Sequence, residues 1–278
     1  MDLSQIAGPD LAWLVFALLT GGIVAGLLAG LFGIGGGAVL VPILFELFTL
    51  LGVPDEIRMH LAVGTSLAVI APTSIRSFAE HRRQGAVDMA VLRHMGPAVG
   101  IGVLAGIVIA SVVDGSVLKS VYVVSCLLMA VKLLAGSERG LLGRDLPALI
   151  WQRLYGFVTG VASTLIGIGG GIYISAFMTF YGRTIHQAVA TASGFGPIIA
   201  IPATIGFMWA GWDAAGLPPG SIGYVSVLGA ALIIPASVLA APFGVRLAHH
   251  LSRRKLELAF AAFLILVAVR FLVSLLGS

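Results

Sequence analysis

The chain has 278 residues, 59% of them hydrophobic and 10% charged, with a mean hydropathy of +1.07. That composition lies outside the range of soluble domains, and no polar stretch is long enough to fold alone, so an integral membrane protein is expected. The net charge of +4 does not indicate nucleic-acid binding, because the basic residues fall in short connections between apolar runs, where they set membrane orientation.

Met1 to Gln5 lacks the basic stretch of a secretory leader, so no cleaved signal is expected. Apolar runs follow at about 11–51, 60–79, 94–113 and 118–136, then at about 151–181, 187–211, 222–247 and 256–276. Several exceed the roughly 18–20 residues needed to span a bilayer. The single cysteine, Cys126, sits in an apolar run, has no intrachain partner and reads as packing. These boundaries divide the chain into a first membrane repeat (1–137), a cytoplasmic linker (138–149) and a second membrane repeat (150–278).

The repeat itself is visible in the residues. Gly33-Ile34-Gly35-Gly36-Gly37 recurs as Gly167-Ile168-Gly169-Gly170-Gly171. His60-Leu-Ala-Val-Gly-Thr65-Ser66 resembles His186-Gln-Ala-Val-Ala-Thr191-Ala192, and Pro97, Gly106 and Lys132 have the spacing of Pro235, Gly244 and Arg270. The offsets are 134, 126 and 138, so only connecting loops differ in length. Each glycine costs a helix about 1 kcal/mol relative to alanine, so the glycine clusters break their apolar runs. Broken backbone at membrane depth is tolerated only where protein or a water-filled cavity covers it. A pair of such breaks at matching places is a pointer to a transporter binding site.

Arg76, Arg82, Arg83, Arg93, Arg139, Arg144, Arg153, Arg183, Arg246, Arg253, Arg254 and Lys255 mark one set of loops, whereas the loops around Asp114 to Lys119 and Asp213 to Gly220 are nearly free of basic charge. All basic loops share the cytoplasmic side only if each broken segment begins and ends on one side of the membrane. Only about 11 residues follow Gly171 before Tyr181-Gly182-Arg183, roughly 16 Å of helix, which suits a half-helix returning from mid-membrane. In the first half, 11–32 is long enough to span, so re-entry and a double crossing both stay open. A hairpin plus three spans is odd in parity. The expected fold is therefore an all-α integral membrane protein of two inverted repeats, each a broken or re-entrant helical hairpin plus three transmembrane helices, with both termini periplasmic.

The glycine tips are the first candidate site. A helix restarting after a glycine cluster presents unpaired N–H groups and the positive end of its dipole, which is an anion site. Gly35, Gly36, Gly37, Gly169, Gly170 and Gly171 are its residues, against the alternative of close helix packing through small residues. His60 and His186 each open a span and can bind an anion or titrate near neutral pH, with polar Gln187 beside His186. Thr65, Ser66 and Thr191 offer hydroxyls within apolar spans, unless they only bond the preceding turn. Pro72, Pro197 and Pro202 are expected to kink the same spans. Arg76 lies three turns after Thr65 on one face and reads as an anion attractor or a positive-inside anchor. Lys132 and Arg270 read as snorkelling cations, and Glu46, whose counterpart is Phe180, as a proton-coupling acid if it lies at membrane depth. Gly96 to Gly102 is a small-residue face suited either to a homodimer or to internal packing. His249-His250 lies too near a basic loop to mark a metal site. No nucleotide motif, metal cluster or catalytic constellation is visible, so no cofactor and no enzymatic activity is expected.

At Gly33 to Gly37 leading into Val41-Pro42, with His60 to Ser66 following, this duplicated chain resembles the TauE/SafE sulfite exporter family, also called the toluene sulfonate uptake permease family. The resemblance covers nearly the whole chain. It implies a secondary transporter of small anions such as sulfite or organosulfonates in the bacterial inner membrane. The second half departs from the pattern with Ala176 in place of Pro42 and Ala192 in place of Ser66. The expectation is an exporter of a small sulfur-containing anion held at the midplane between the glycine tips. An anion channel and a proton-coupled uptake permease are the alternatives.

Overall fold

A computed structural model describes residues 8–32, 36–135, 143, 145–247 and 253–276. Among them the chain is almost wholly helical: α1 (Gly8–Phe32), α2 (Gly37–Leu50), α3 (Asp55–Arg83), α4 (Met89–Val112), α5 (Gly115–Ala135), α6 (Leu149–Ile166), α7 (Gly171–Phe180), α8 (Ile185–Ser193), α9 (Phe195–Ala210), α10 (Val227–Leu247) and α11 (Arg253–Leu276). Six segments are long and apolar enough to cross a membrane, with α8 and α9 counted as one. The all-α membrane class read from the sequence is the class observed.

Local chemistry sets the boundaries. Asp55 and Glu56 open α3 and His81, Arg82 and Arg83 close it, charges that match the helix dipole at each end. The Asp88 carboxylate caps α4 by accepting from the amides of Ala90 and Val91 at 3.1 and 3.3 Å. Thr184 caps α8 by accepting from the Gln187 amide at 3.3 Å. Each glycine break ends in a left-handed residue, Gly36 (φ 77) before α2 and Gly170 (φ 72) before α7, a conformation that glycine adopts without steric penalty.

The order of close contacts gives the direction of each helix. Along α1, Gly22, Gly26 and Gly30 meet Ile233, Ser237 and Ala241 of α10 in turn, so the two helices run parallel. Along α6, Gly156 and Gly160 meet Met95 and Val99 of α4, and Thr164 meets Gly106, so these also run parallel. Gly64 of α3 meets Phe207 of α9 while Gly194 and Gly196 meet Phe78 and Ser74, an antiparallel pair. Further pairings join α5 to α11, α2 to α3 and α7 to α8. The first helix of each broken segment thus packs on the second span of the other half.

α2 starts beside Ile70, near the middle of α3, and ends where Val53 accepts hydrogen bonds from Arg58 at the start of α3. It therefore returns toward the end from which α1 set out. Three details differ from the sequence reading. The span expected at 187–211 is two helices, interrupted at Gly194. A two-stranded hairpin, β1 (Ser221–Ile222) with β2 (Val225–Ser226), precedes α10. Leu149, placed in the linker by sequence, opens α6.

The close pairs depend on missing side chains. A Cβ on Gly26 would land on the Ser237 carbonyl and one on Gly160 on the Val99 carbonyl, whereas Gly100 faces open space. Of the glycines in the small-residue face at 96–102, Gly102 packs inward on Phe157, Gly96 meets Ile198 and Gly100 faces open space. Overpacking a filled contact costs about 1–3 kcal/mol. Gly26→Val and Gly160→Val are therefore expected to lower the melting temperature of the detergent-solubilised protein by several degrees, with Gly100→Val near wild type. Equal effects at the three positions would contradict this packing.

Candidate functional site

The two glycine breaks meet at the centre of the molecule. A Cβ on Gly37 would land on the Gly167 carbonyl and lie 3.0 Å from the Ile168 Cα. Gly167 itself sits against Val41 of α2 and Val63 of α3. The Ser66 hydroxyl donates to the Gly167 carbonyl at 3.0 Å, and the Gly170 amide donates to the Ile168 carbonyl at 2.9 Å. Gly36, Gly37, Gly169, Gly170 and Gly171 are all buried. Gly35 lies outside the described residues.

α2 and α7 leave this contact as half-helices, and neither has a side-chain cap or an acidic residue in its first turn. The Gly36 carbonyl accepts from Val39 and Leu40, and the Gly170 carbonyl from Ile174. The first-turn amides of such helices have no partner within the helix. Each break therefore starts a helix with the positive end of its dipole buried, and the chemistry it offers is neutral hydrogen-bond donation to an acceptor-rich group.

The two breaks are not equally polar. Around the second, Thr159, Ser163 and Thr164 of α6 are buried, and the Ser163 Oγ lies 3.2 Å from where a Gly170 Cβ would stand. Their counterparts one repeat earlier are Ala25, Ala29 and Gly30, and the first break rests on Ala25 instead. The sequence reading passed over Ser163 and Thr159. Setting the two halves side by side just before each pentapeptide would have shown the difference.

The remaining expected residues lie elsewhere. Thr65 accepts from the Ser226 amide at 2.9 Å, and Thr191 accepts from the Asp88 amide at 2.8 Å. Asp88 and Ser226 are themselves one offset of 138 apart. The matched threonines thus hold matched helix starts, each across to the other half. Ser226 Oγ in turn accepts from the Gly229 amide at 3.2 Å. His60 donates from Nε2 to the Ala110 and Val113 carbonyls, both at 3.1 Å, and its ring lies 4.9 Å from that of Tyr224. It precedes Ser66 by six residues, about 9 Å of helix. His186 is exposed and Gln187 half-buried in the first turn of α8. The structure therefore gathers the glycines and Ser66 at the tips and does not bring His60, His186 or Gln187 to them.

A second matched pair lies further out. Arg270 is 3.0 Å from Glu46, while Lys132 stands over the Phe180 ring at 5.8 Å. Glu46 is half-exposed, at 44%, and engaged by its arginine. Arg76 is exposed.

A membrane protein with broken helices meeting at its centre has the architecture of a membrane transporter, and the comparisons agree. A family model described as "Sulfite exporter TauE/SafE" matches residues 18–271. A probable membrane transporter protein of Haemophilus influenzae is 31% identical over 258 residues, 92% of this chain and 97% of the relative. One of Methanocaldococcus jannaschii is 27% identical over 254 residues, 89% of this chain and 91% of the relative. The probable membrane transporter protein YdhB of Bacillus subtilis is 25% identical over 207 residues, 72% of this chain and 75% of the relative. No solved structure matches. The chain belongs to the TauE/SafE sulfite exporter family and is a multi-pass membrane transporter.

The threonine bonds make a direct test. Thr191→Val leaves the buried-side Asp88 amide without its acceptor, at a cost of about 1–3 kcal/mol. Its melting temperature in detergent should fall by several degrees, and Thr191→Ser, which keeps the oxygen, should stay near wild type. A valine variant as stable as wild type would show that the amide has another partner.

Proposed function

We propose that this protein exports a small sulfur-containing anion, such as sulfite or an organosulfonate, from the cytoplasm of a bacterial cell. The observation that carries this reading is the contact between the two glycine breaks, after each of which an uncapped half-helix begins with its amino end buried. The amides of Gly36, Gly37 and Gly171, with Ser66 beside them, form the binding site, and the family is described by sulfite export. Neutral donors hold an oxyanion without the depth of binding that a fixed cation would add, which lets the anion leave. Inside-negative voltage drives it outward by about 2.3 kcal/mol per charge per 100 mV.

The helix directions support inverted halves. α1 runs parallel to α10 and α6 to α4, while short connections make α3 and α4, α4 and α5, and α10 and α11 antiparallel. Every element of the second half then opposes its counterpart in the first. The same directions bring Arg82, Arg83, Arg93, Arg153, Arg183, Arg246 and Arg254 to one end of the bundle, which we place in the cytoplasm. At the opposite end Arg58 and Lys119 both pair with Asp55, at 3.0 and 2.9 Å, and Arg270 pairs with Glu46. Both termini are then periplasmic.

Thermal unfolding of the purified protein with sulfite, sulfate, thiosulfate, isethionate, taurine, acetate and chloride tests the reading. A ligand at 100 times its Kd adds about 2.7 kcal/mol of stability, so one sulfur oxyanion or sulfonate should raise the melting temperature well above the others. Counterflow of that anion in proteoliposomes should follow. Equal response to every anion contradicts the reading, and flux without saturation or counterflow would make the protein a channel.

A further inference from the structure

Among the described residues two buried helical serines, Ser77 and Ser163, have hydroxyls without a hydrogen-bond partner, and of these Ser163 lies beside a glycine break. Ser74, Ser175, Ser193 and Ser237 each donate to the carbonyl three residues earlier, at 3.1, 3.0, 2.6 and 3.2 Å. The Ser163 hydroxyl does not, and it has no hydrogen-bond partner among the described residues although the side chain is fully buried. Its neighbour Thr164 bonds the Gly160 carbonyl at 2.9 Å in the ordinary way. A buried hydroxyl without a partner destabilises the fold, whereas alanine of nearly the same shape would not. Such a group is retained against a cost.

Its position shows what it faces. Ser163 lies in the last turn of α6, and its carbonyl accepts from the amides of Gly167 and Ile168, which start the second break. The chain then doubles back, so that the Oγ stands 3.2 Å from the Cβ site of Gly170, the residue that opens α7. The uncapped amides of α7 and the unpartnered hydroxyl thus meet at one spot. The first break has no equivalent, because Ala29 occupies the matching position.

We infer that Ser163 is a binding residue of the transport site, and that the anion is held off-centre, on the amino end of α7, rather than shared equally by the two breaks. This inference rests on the transport-site reading above. The ligand class is a small oxyanion, one oxygen of which accepts from the Ser163 hydroxyl while others accept from the first-turn amides of α7.

Four proteins test it: wild type, Ser163→Ala, Ser163→Cys and Thr164→Val, each melted with and without sulfite or thiosulfate. Without anion, Ser163→Ala should melt at or above the wild-type temperature, since it removes an unpaired polar group, while Thr164→Val, which removes a bonded one, should melt lower. With anion, Ser163→Ala should need at least ten times the wild-type concentration for the same shift. Ser163→Cys, close in shape but a weaker donor, should fall between, and Thr164→Val should keep the wild-type dependence. A Ser163→Ala protein with wild-type anion dependence overturns the inference and leaves the transport site standing. An anion-free melting temperature of Ser163→Ala as low as that of Thr164→Val also overturns it, because the hydroxyl is then structural. If neither anion stabilises wild type, the transport-site reading fails and this one with it.

Discussion

In the hydrocarbon core no water is present to satisfy a backbone group that the protein leaves open. The whole structure follows from how two broken helices meet that constraint. Each break would be untenable facing lipid. Placed against one another, Gly37 covers the Gly167 carbonyl region, and Ser66 supplies that carbonyl with a hydroxyl. The glycines leave the room for this approach, and Gly36 and Gly170 also supply the left-handed turns that restart the helices. What remains open after that mutual cover is amide hydrogen at two helix starts, the feature on which the proposed anion site rests.

The same arrangement ties the two halves together. α1 lies on α10 and α6 on α4. Thr65 reaches Ser226, Thr191 reaches Asp88, Glu46 reaches Arg270 and Lys132 reaches Phe180, each from one half to the other. Rocking one half as a block against the other would pull the parallel pairs apart at contacts where Gly26 and Gly160 leave no spare space. Any change of access has to carry α1 with α10 and α6 with α4. The breaks themselves, where helix gives way to turn, are the places that can absorb the difference.

Much of this was legible in the residues because it repeats. The glycine breaks, the spans and the matched threonines all recur at fixed offsets, and the hydropathy of the runs gave their lengths. The roles of single side chains were harder to read. Recurrence marks Thr65 and Thr191 as important but does not name a partner, and the partner is an amide remote in sequence. His60 reads from sequence as an anion ligand or a capping residue, and its ring donates to the Ala110 and Val113 carbonyls at the end of α4, partners that the sequence does not name. The β1–β2 hairpin was hidden inside an apolar run, where hydropathy does not distinguish strand from helix. Ser163 was missed for the opposite reason: it is where the halves differ, and a search for likeness passes over differences.

The most direct measurement is the position of the bound anion. Selenite is a heavier analogue of sulfite, and its selenium gives an anomalous signal in crystals grown with it. The account predicts one strong peak between the breaks, with the oxygens around it within hydrogen-bonding distance, about 2.7–3.2 Å, of the α7 amino end. A peak among the arginines of the basic end, with none at the glycines, would contradict it and leave the breaks as packing alone.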